Sequence, residues 1–211
     1  MTRLVVIGAG GHGREVCDIV DAVNRAGSAL ELVGVVDERG DEQGLLIRRG
    51  ITMLGGNEVL RSLDASYLIG VGSAEARRAV DELASAAGLE PTSLVHPTAV
   101  LGSEVSIGPG FIAFPYAVVT TNVAMGRHVH LNVGATVSHD CTLGDYVTLS
   151  PGSHVSGNVR LGDGVTLGVG AVARQGVTVG DGTLVGAGGV VVDDLPPGLT
   201  AVGVPARPIR R

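Results

Sequence analysis

LNVGATVSHDCTLGDYVTLSP, residues 131–151, sets Leu131, Val137, Leu143 and Leu149 six positions apart. Followed outward in both directions, the same spacing runs from Leu101 to Val191, sixteen positions filled by apolar residues without a gap. Glycine follows the repeat residue at 102, 108, 126, 144, 162, 168, 180 and 186, and the residue two places before it is small or apolar, as in Val105, Val129, Cys141 and Val165. An amphipathic helix repeats about every 3.6 residues and a half-buried strand about every two, so neither accounts for this period. A solenoid of triangular coils does, with three six-residue sides per coil and each inward aliphatic residue stacked on its equivalent one coil away. The reading is a left-handed parallel β-helix of a little over five coils, with the glycines expected to relieve strained corner backbone between sides.

Composition agrees with an architecture of many tight turns. Glycine contributes 34 of 211 residues, apolar types make up 45% and aromatics only 2%, so small and branched side chains must fill the core. The net charge is −6 and no basic run exceeds a pair such as Arg48 and Arg49, which lacks the electrostatic footprint of a nucleic-acid binder. The start MTRLVVIGAGG passes into a strand and a glycine loop without the pattern of a signal peptide, and no segment has eighteen uninterrupted apolar residues. A cytoplasmic protein without membrane insertion is expected. Cys17 and Cys141 are too few and too far apart for a disulfide framework or a metal cluster and read as buried thiols.

Before the repeats the chain alternates strand and helix, and Pro91 and Pro97 punctuate the change of period. Two domains are expected, 1–95 and 96–211. Leu4 to Ile7 is a short apolar run ending at Gly8, and Val16, Ile19, Val20 and Val23 share one helical face before Gly27. Leu32 to Val36 and Tyr67 to Ile69 read as further strands, and Ala74 to Ala87 as a second helix, giving an α/β, Rossmann-like unit with a small parallel sheet.

Gly8, Gly10 and Gly13 form a GxGxxG loop between strand and helix, with Asp37 ending the next strand. Taken alone, this is a dinucleotide fingerprint, in which phosphate meets a helix N-terminus and the acid binds a ribose. The unit is short for a complete dinucleotide fold, and hydride transfer gives no reason for an attached β-helix. A nucleotide-sugar site and a purely structural turn are the other readings. His12 sits in the loop, where it either hydrogen-bonds a phosphate or sugar hydroxyl or faces solvent. His139 and Asp140 interrupt the aliphatic monotony two and three residues past the inward Val137. The imidazole is placed off the buried column and suits acid–base work, with the neighbouring carboxylate to orient it. A structural surface pair is the alternative. Cys141 belongs to the inward pattern and reads as core.

VIGAGGHGREV at 6–16, LIGVGSAEARR at 68–78, LVHPTAV at 94–100, NVGATVSHDCTLGDYVTLSP at 132–151 and VGVPARP at 202–208 together resemble the hexapeptide-repeat sugar acetyltransferases of the NeuD and PglD type. The resemblance covers nearly the whole chain. It implies that Gly10, Gly11, His12, Asp37 and Gly72 help hold a uridine-diphosphate sugar. It also implies that His139 is the general base, assisted by Asp140 where Glu is the common residue, in direct acetyl transfer from acetyl-CoA. Acetyl-CoA contacts map to Thr148, Val169 and Ala187, with histidine in some members where Thr148 stands. Asn132 either joins them in the groove between neighbouring β-helices or stacks toward solvent. The implied assembly is a homotrimer with sites at its interfaces. The acceptor is expected to be the amino group of a UDP-linked amino-deoxy sugar, with a hydroxyl of sialic acid or a related sugar as the alternative. Two readings of other classes stand beside it. One is a non-catalytic nucleotide-sugar-binding trimeric scaffold. The other is a zinc carbonic anhydrase built on the same helix, for which His128, His130, His139 and His154 are the candidates and Gly144 is the missing ligand.

Overall fold

The computed structural model describes residues 2–41 and 43–209. The chain forms two compact units, dividing after Pro97.

In the first unit β1 (Thr2–Ile7), α1 (Gly11–Arg25), β2 (Leu30–Val36), β3 (Met53–Gly55), β4 (Ser66–Ile69) and α2 (Ala74–Ala86) follow in order. The strands are all parallel, in the order β3-β2-β1-β4. Leu4, Val5, Val6 and Ile7 are all buried, as a strand covered on both faces requires. One of those faces holds Val5, Ile7, Val36, Tyr67 and Ile69 with Leu60, Ala84 and Leu89. α1 buries Val16, Cys17, Ile19 and Val20. Because β2 lies on one side of β1 and β4 on the other, the strand order reverses beside β1. A crevice at the carboxyl ends of the strands is the geometric consequence.

The second unit is the left-handed parallel β-helix. Its first face carries the strands Val100–Leu101, Val118–Val119, Thr136–Val137, His154–Val155, Val172–Ala173 and Val190–Val191. The second runs from Val105–Ile107 to Thr178–Val179, and the third from Ile112–Ala113 through Leu184–Val185 to Thr200–Val202, closed by an antiparallel return at Arg207–Pro208. Register is one coil of eighteen residues, as in Thr136 opposite His154 and Leu149 opposite Leu167. From Met125 to Val191 every repeat residue is buried, whereas Ile107 in the first coil is exposed.

The corners bear out the expectation for the glycines only in part. Left-handed backbone falls three residues past the inward residues from Leu101 to Val185, and there Glu104, Tyr116, Asn122, His128, Asp140, Tyr146 and Asn158 adopt it alongside glycines such as Gly134 and Gly152. The glycines directly after the inward residue do a different job. A Cβ on Gly102 would lie 1.9 Å from the Thr120 carbonyl oxygen, and one on Gly144 2.7 Å from the Asp163 nitrogen. They are glycines because successive coils approach too closely for a side chain. Asp145 and Asp163 carry a related stitch, each accepting a backbone N–H from the coil before it, of Arg127 at 2.7 Å and of Asp145 at 2.8 Å.

Candidate active site

Two sets of sequence-predicted residues come together separately, one in each unit. In the first, Gly10, Gly11, His12, Asp37 and Gly72 line one cleft of about 570 Å³ at the carboxyl ends of β1, β2 and β4. Three glycines let its walls close. A Cβ on Gly13 would sit 1.8 Å from the Gly8 carbonyl oxygen, and one on Gly70 2.4 Å from the Gly13 Cα. The first turn of α1 is thereby pressed against the ends of β1 and β4. Gly10 and Gly72, in contrast, face open space. Gly10 is the N-cap of α1 and supplies no capping side chain, and the first turn holds no acid. A helix N-terminus opening on a cleft favours an anionic ligand.

Asp37 has a structural task that the sequence did not show. One carboxylate oxygen accepts the Ala9 N–H at 2.7 Å and the other the Arg39 N–H at 2.8 Å, so the side chain pins the glycine loop to the turn after β2. His12 lies in the first turn of α1 rather than in the loop before it, and it is largely covered. Burial, and secondly the Arg77 guanidinium, push it down to about 4. It is therefore a neutral hydrogen-bonding group at neutral pH, and its 3.6 Å approach to Glu15 is not an ion pair there. Arg77 was not singled out from sequence. It is fully buried and donates to the Val71 and Gly72 carbonyls, both at 3.1 Å, shaping the loop that forms the far wall.

In the second unit His139 and Asp140 lie on the edge between the first and second faces. His139 Nδ1 and Asp140 Oδ2 are 2.7 Å apart, with the two side chains 50% and 43% exposed. Asp140 Oδ1 also accepts the Asn122 side-chain amide at 2.5 Å. Hydrogen bonds from Asn122 and then His139 hold the Asp140 carboxyl below the usual carboxylate range. Against an ionised carboxylate the imidazole donates from Nδ1, which leaves Nε2 as the nitrogen that can take a proton. Under the ring lies Gly157. A Cβ there would be 2.5 Å from His139 Cε1 and 2.6 Å from Nε2, so the imidazole lies flat on bare backbone of the next coil. Sequence reasoning missed Asn122 and Gly157. The eighteen-residue register was the signal, since it puts Asn122 directly beside Asp140. Cys141 is buried as expected, its thiol pushed up by burial, and it donates to the Ser156 carbonyl at 3.1 Å.

The positions mapped to acetyl-CoA lie elsewhere on the prism. Val169 and Ala187 are exposed on the edge between the third and first faces, stacked one coil apart, with Gly188 donating to the Val169 carbonyl at 2.8 Å. Thr148 lies on the third face and is buried. Asn132 is buried at the start of the same edge and donates its side-chain amide to the Leu149 carbonyl at 2.8 Å, so it stacks on the next coil rather than toward solvent. Within one chain, therefore, the His139 edge and the Val169 edge are different edges. The four histidines considered as zinc ligands are dispersed along the coils, and among the described residues no three His, Cys, Asp or Glu side chains gather in a metal-binding group. Among the same residues no helix is long and apolar enough to cross a membrane.

Comparison with known proteins completes the assignment. The PglD N-terminal domain family matches residues 3–82. The acetyltransferase domain of PglB from Neisseria gonorrhoeae FA1090, solved in complex with acetyl coenzyme A, is 38% identical over 98% of this chain and 98% of its own, with a TM-score of 0.86. PerB from Caulobacter crescentus, solved with CoA and GDP-perosamine, is 33% identical over 100% of this chain and 98% of its own, with a TM-score of 0.87. WeeI from Acinetobacter baumannii AYE is 29% identical over 99% of this chain and 100% of its own, with a TM-score of 0.88. A comparison with curated protein sequences gives no match. Full-length similarity to acetyltransferases leaves no place for the non-catalytic scaffold reading. The chain belongs to the PglD/NeuD-type sugar acetyltransferase family and is an acyltransferase with acetyl-CoA as its co-substrate.

Proposed function

We propose that the chain N-acetylates the amino group of a UDP-linked amino-deoxy sugar, with His139 as general base. The observation that carries this reading is the His139 imidazole, half exposed, tied at Nδ1 to Asp140 and lying flat over Gly157. The free amine attacks the thioester carbonyl and the N–C bond forms. Its proton passes to Nε2, with Asp140 balancing the imidazolium. A backbone N–H stabilises the oxyanion. The C–S bond then breaks, and the imidazolium returns the proton to the CoA thiolate. No acyl-enzyme is needed, and Cys141, with its thiol inside the coil, is not available as a nucleophile.

Gly10, Gly11, His12, Asp37 and Gly72 hold the nucleotide sugar. The N-terminus of α1 meets the diphosphate, and neutral His12 offers a hydrogen bond to a sugar or phosphate oxygen. Asn132, Thr148, Val169 and Ala187 line the acetyl-CoA path. Because the His139 edge and the Val169 edge differ within one chain, a site using both needs two copies side by side, and a homotrimer supplies three equivalent ones.

The test is CoA release by wild-type protein and His139→Ala against UDP-linked and GDP-linked amino sugars and free sialic acid, with products identified by mass spectrometry. The expected product is the amide of the UDP-linked sugar, and the variant should lose about 10²–10⁴-fold in kcat. A near-wild-type rate in His139→Ala overturns the base assignment. Preference for the GDP-linked sugar, or an O-acetylated sialic acid, overturns the acceptor.

A further inference from the structure

We propose that Asn122 is a positioning residue for the acid–base pair: its side-chain amide fixes the Asp140 carboxylate so that the opposite oxygen meets His139 Nδ1. The inference rests on the reading of His139 as the base. Asn122, Asp140 and Asn158 stand one coil apart on the same edge, all with left-handed backbone, at φ 54°, 61° and 58°. Asn and Asp adopt that conformation more readily than other side-chain-bearing residues, so the corner selects short side chains that carry amides or carboxylates. Three such residues in one column place a donor of one coil against an acceptor of the next.

The main chain already holds this edge together. Asn122 N–H bonds the Ser103 carbonyl at 3.2 Å, Asp140 N–H the Thr121 carbonyl at 3.2 Å, and Asn158 N–H the His139 carbonyl at 2.9 Å. The Asn122 side chain is not needed for the coil to close, and its amide is spent on Asp140 Oδ1 at 2.5 Å instead. Asp140 Oδ2 faces His139 at 2.7 Å. A carboxylate bonded through one oxygen only would turn freely about its terminal torsion, which has a broad profile. On an exposed edge a lone His–Asp contact is weak and easily exchanged for water. Donors on both oxygens define the carboxylate plane, and with it the direction of the imidazole. The low-lying Asp140 carboxyl, held there first by Asn122, agrees with that geometry.

The experiment uses the full chain with two substitutions. Asn122→Gly removes the amide without backbone strain at positive φ, and Asn122→Asp keeps the shape but offers no N–H. Both should lose roughly tenfold in kcat, the scale seen when a partner that orients a functional histidine is removed. The KM values for sugar and acetyl-CoA should stay within about twofold, and in the His139→Ala background neither substitution should cost anything further. Wild-type kcat in Asn122→Asp, or an effect confined to KM, overturns the inference while an inactive His139→Ala leaves the base assignment standing. A fully active His139→Ala overturns both.

Discussion

Gly157→Ala isolates the floor beneath His139. Gly157 does not have left-handed backbone, so alanine is admissible there on conformational grounds. The added Cβ would stand 2.5 Å from His139 Cε1, 2.6 Å from Nε2 and 3.1 Å from Nδ1, where ordinary contact begins at 3.4 Å. Taking the nearest atom, 3.4 minus 2.5 gives a ring displacement of about 1 Å, most of it along the normal to the plane in which Nδ1 meets Asp140. A shift of about that size lengthens the 2.7 Å contact and moves Nε2 off its line to the amine, and misplacement by 1 Å costs on the order of 10²-fold in rate. Stability should barely change. An exposed contact to a carboxylate is worth about 0–1 kcal/mol, and replacing glycine at a compatible backbone position returns a similar amount. The assay is thiol release under saturating acetyl-CoA and sugar, with thermal unfolding in parallel. A kcat within about twofold of wild type, with the Tm unchanged, would refute the claim that the ring rests on this glycine during catalysis.

A shared site predicts complementation. Chains carrying His139→Ala and chains carrying Ala187→Glu should each be inactive. Co-refolded in equal amounts they should recover about a quarter of wild-type activity, because half the sites draw an intact His139 and half of those an intact neighbouring edge. No recovery would mean that one chain supplies both edges. His12 predicts an acid limit to stability. Its folded value lies at about 4 against an ordinary 6.5, so as pH falls between those values the unfolded chain binds the proton first, and stability drops by at most about 1.4 kcal/mol per pH unit. Above about pH 6.5 His12 contributes no slope, and urea unfolding at about pH 7 and pH 5 should show a smaller loss for His12→Gln than for wild type. Equal losses would remove His12 as the cause.

The six-residue period was decisive on its own because each coil buries one residue per side against its equivalent in the next coil. Contact partners then stand at a constant sequence separation, and spacing alone names the inward residues from Met125 to Val191. The GxGxxG stretch likewise announced a strand–loop–helix unit, and all five residues read as its ligand set line the same cleft. β3, only three residues long at Met53–Gly55, carries no periodic pattern and stayed invisible.

What spacing could not decide were directions and second partners. Whether a glycine is left-handed or merely crowded depends on the coil above it, and so the glycines that directly follow inward residues proved to serve close approach, while the strained corners are shared between glycines such as Gly134 and Gly152 and seven side-chain-bearing residues, Asp140 among them. Asp37 lines the cleft, but that its two oxygens also hold the Ala9 and Arg39 N–H groups could not be read from spacing. Asn122 and Gly157 gain meaning only once Asp140 and His139 are set on a corner, because a hydrogen bond or a ring contact depends on side-chain torsions that no repeat encodes. The sequence determined the coil and located the histidine in it. The tertiary structure determined which side chains meet the imidazole and its carboxylate, and that Asn132, Val169 and Ala187 lie on a different edge.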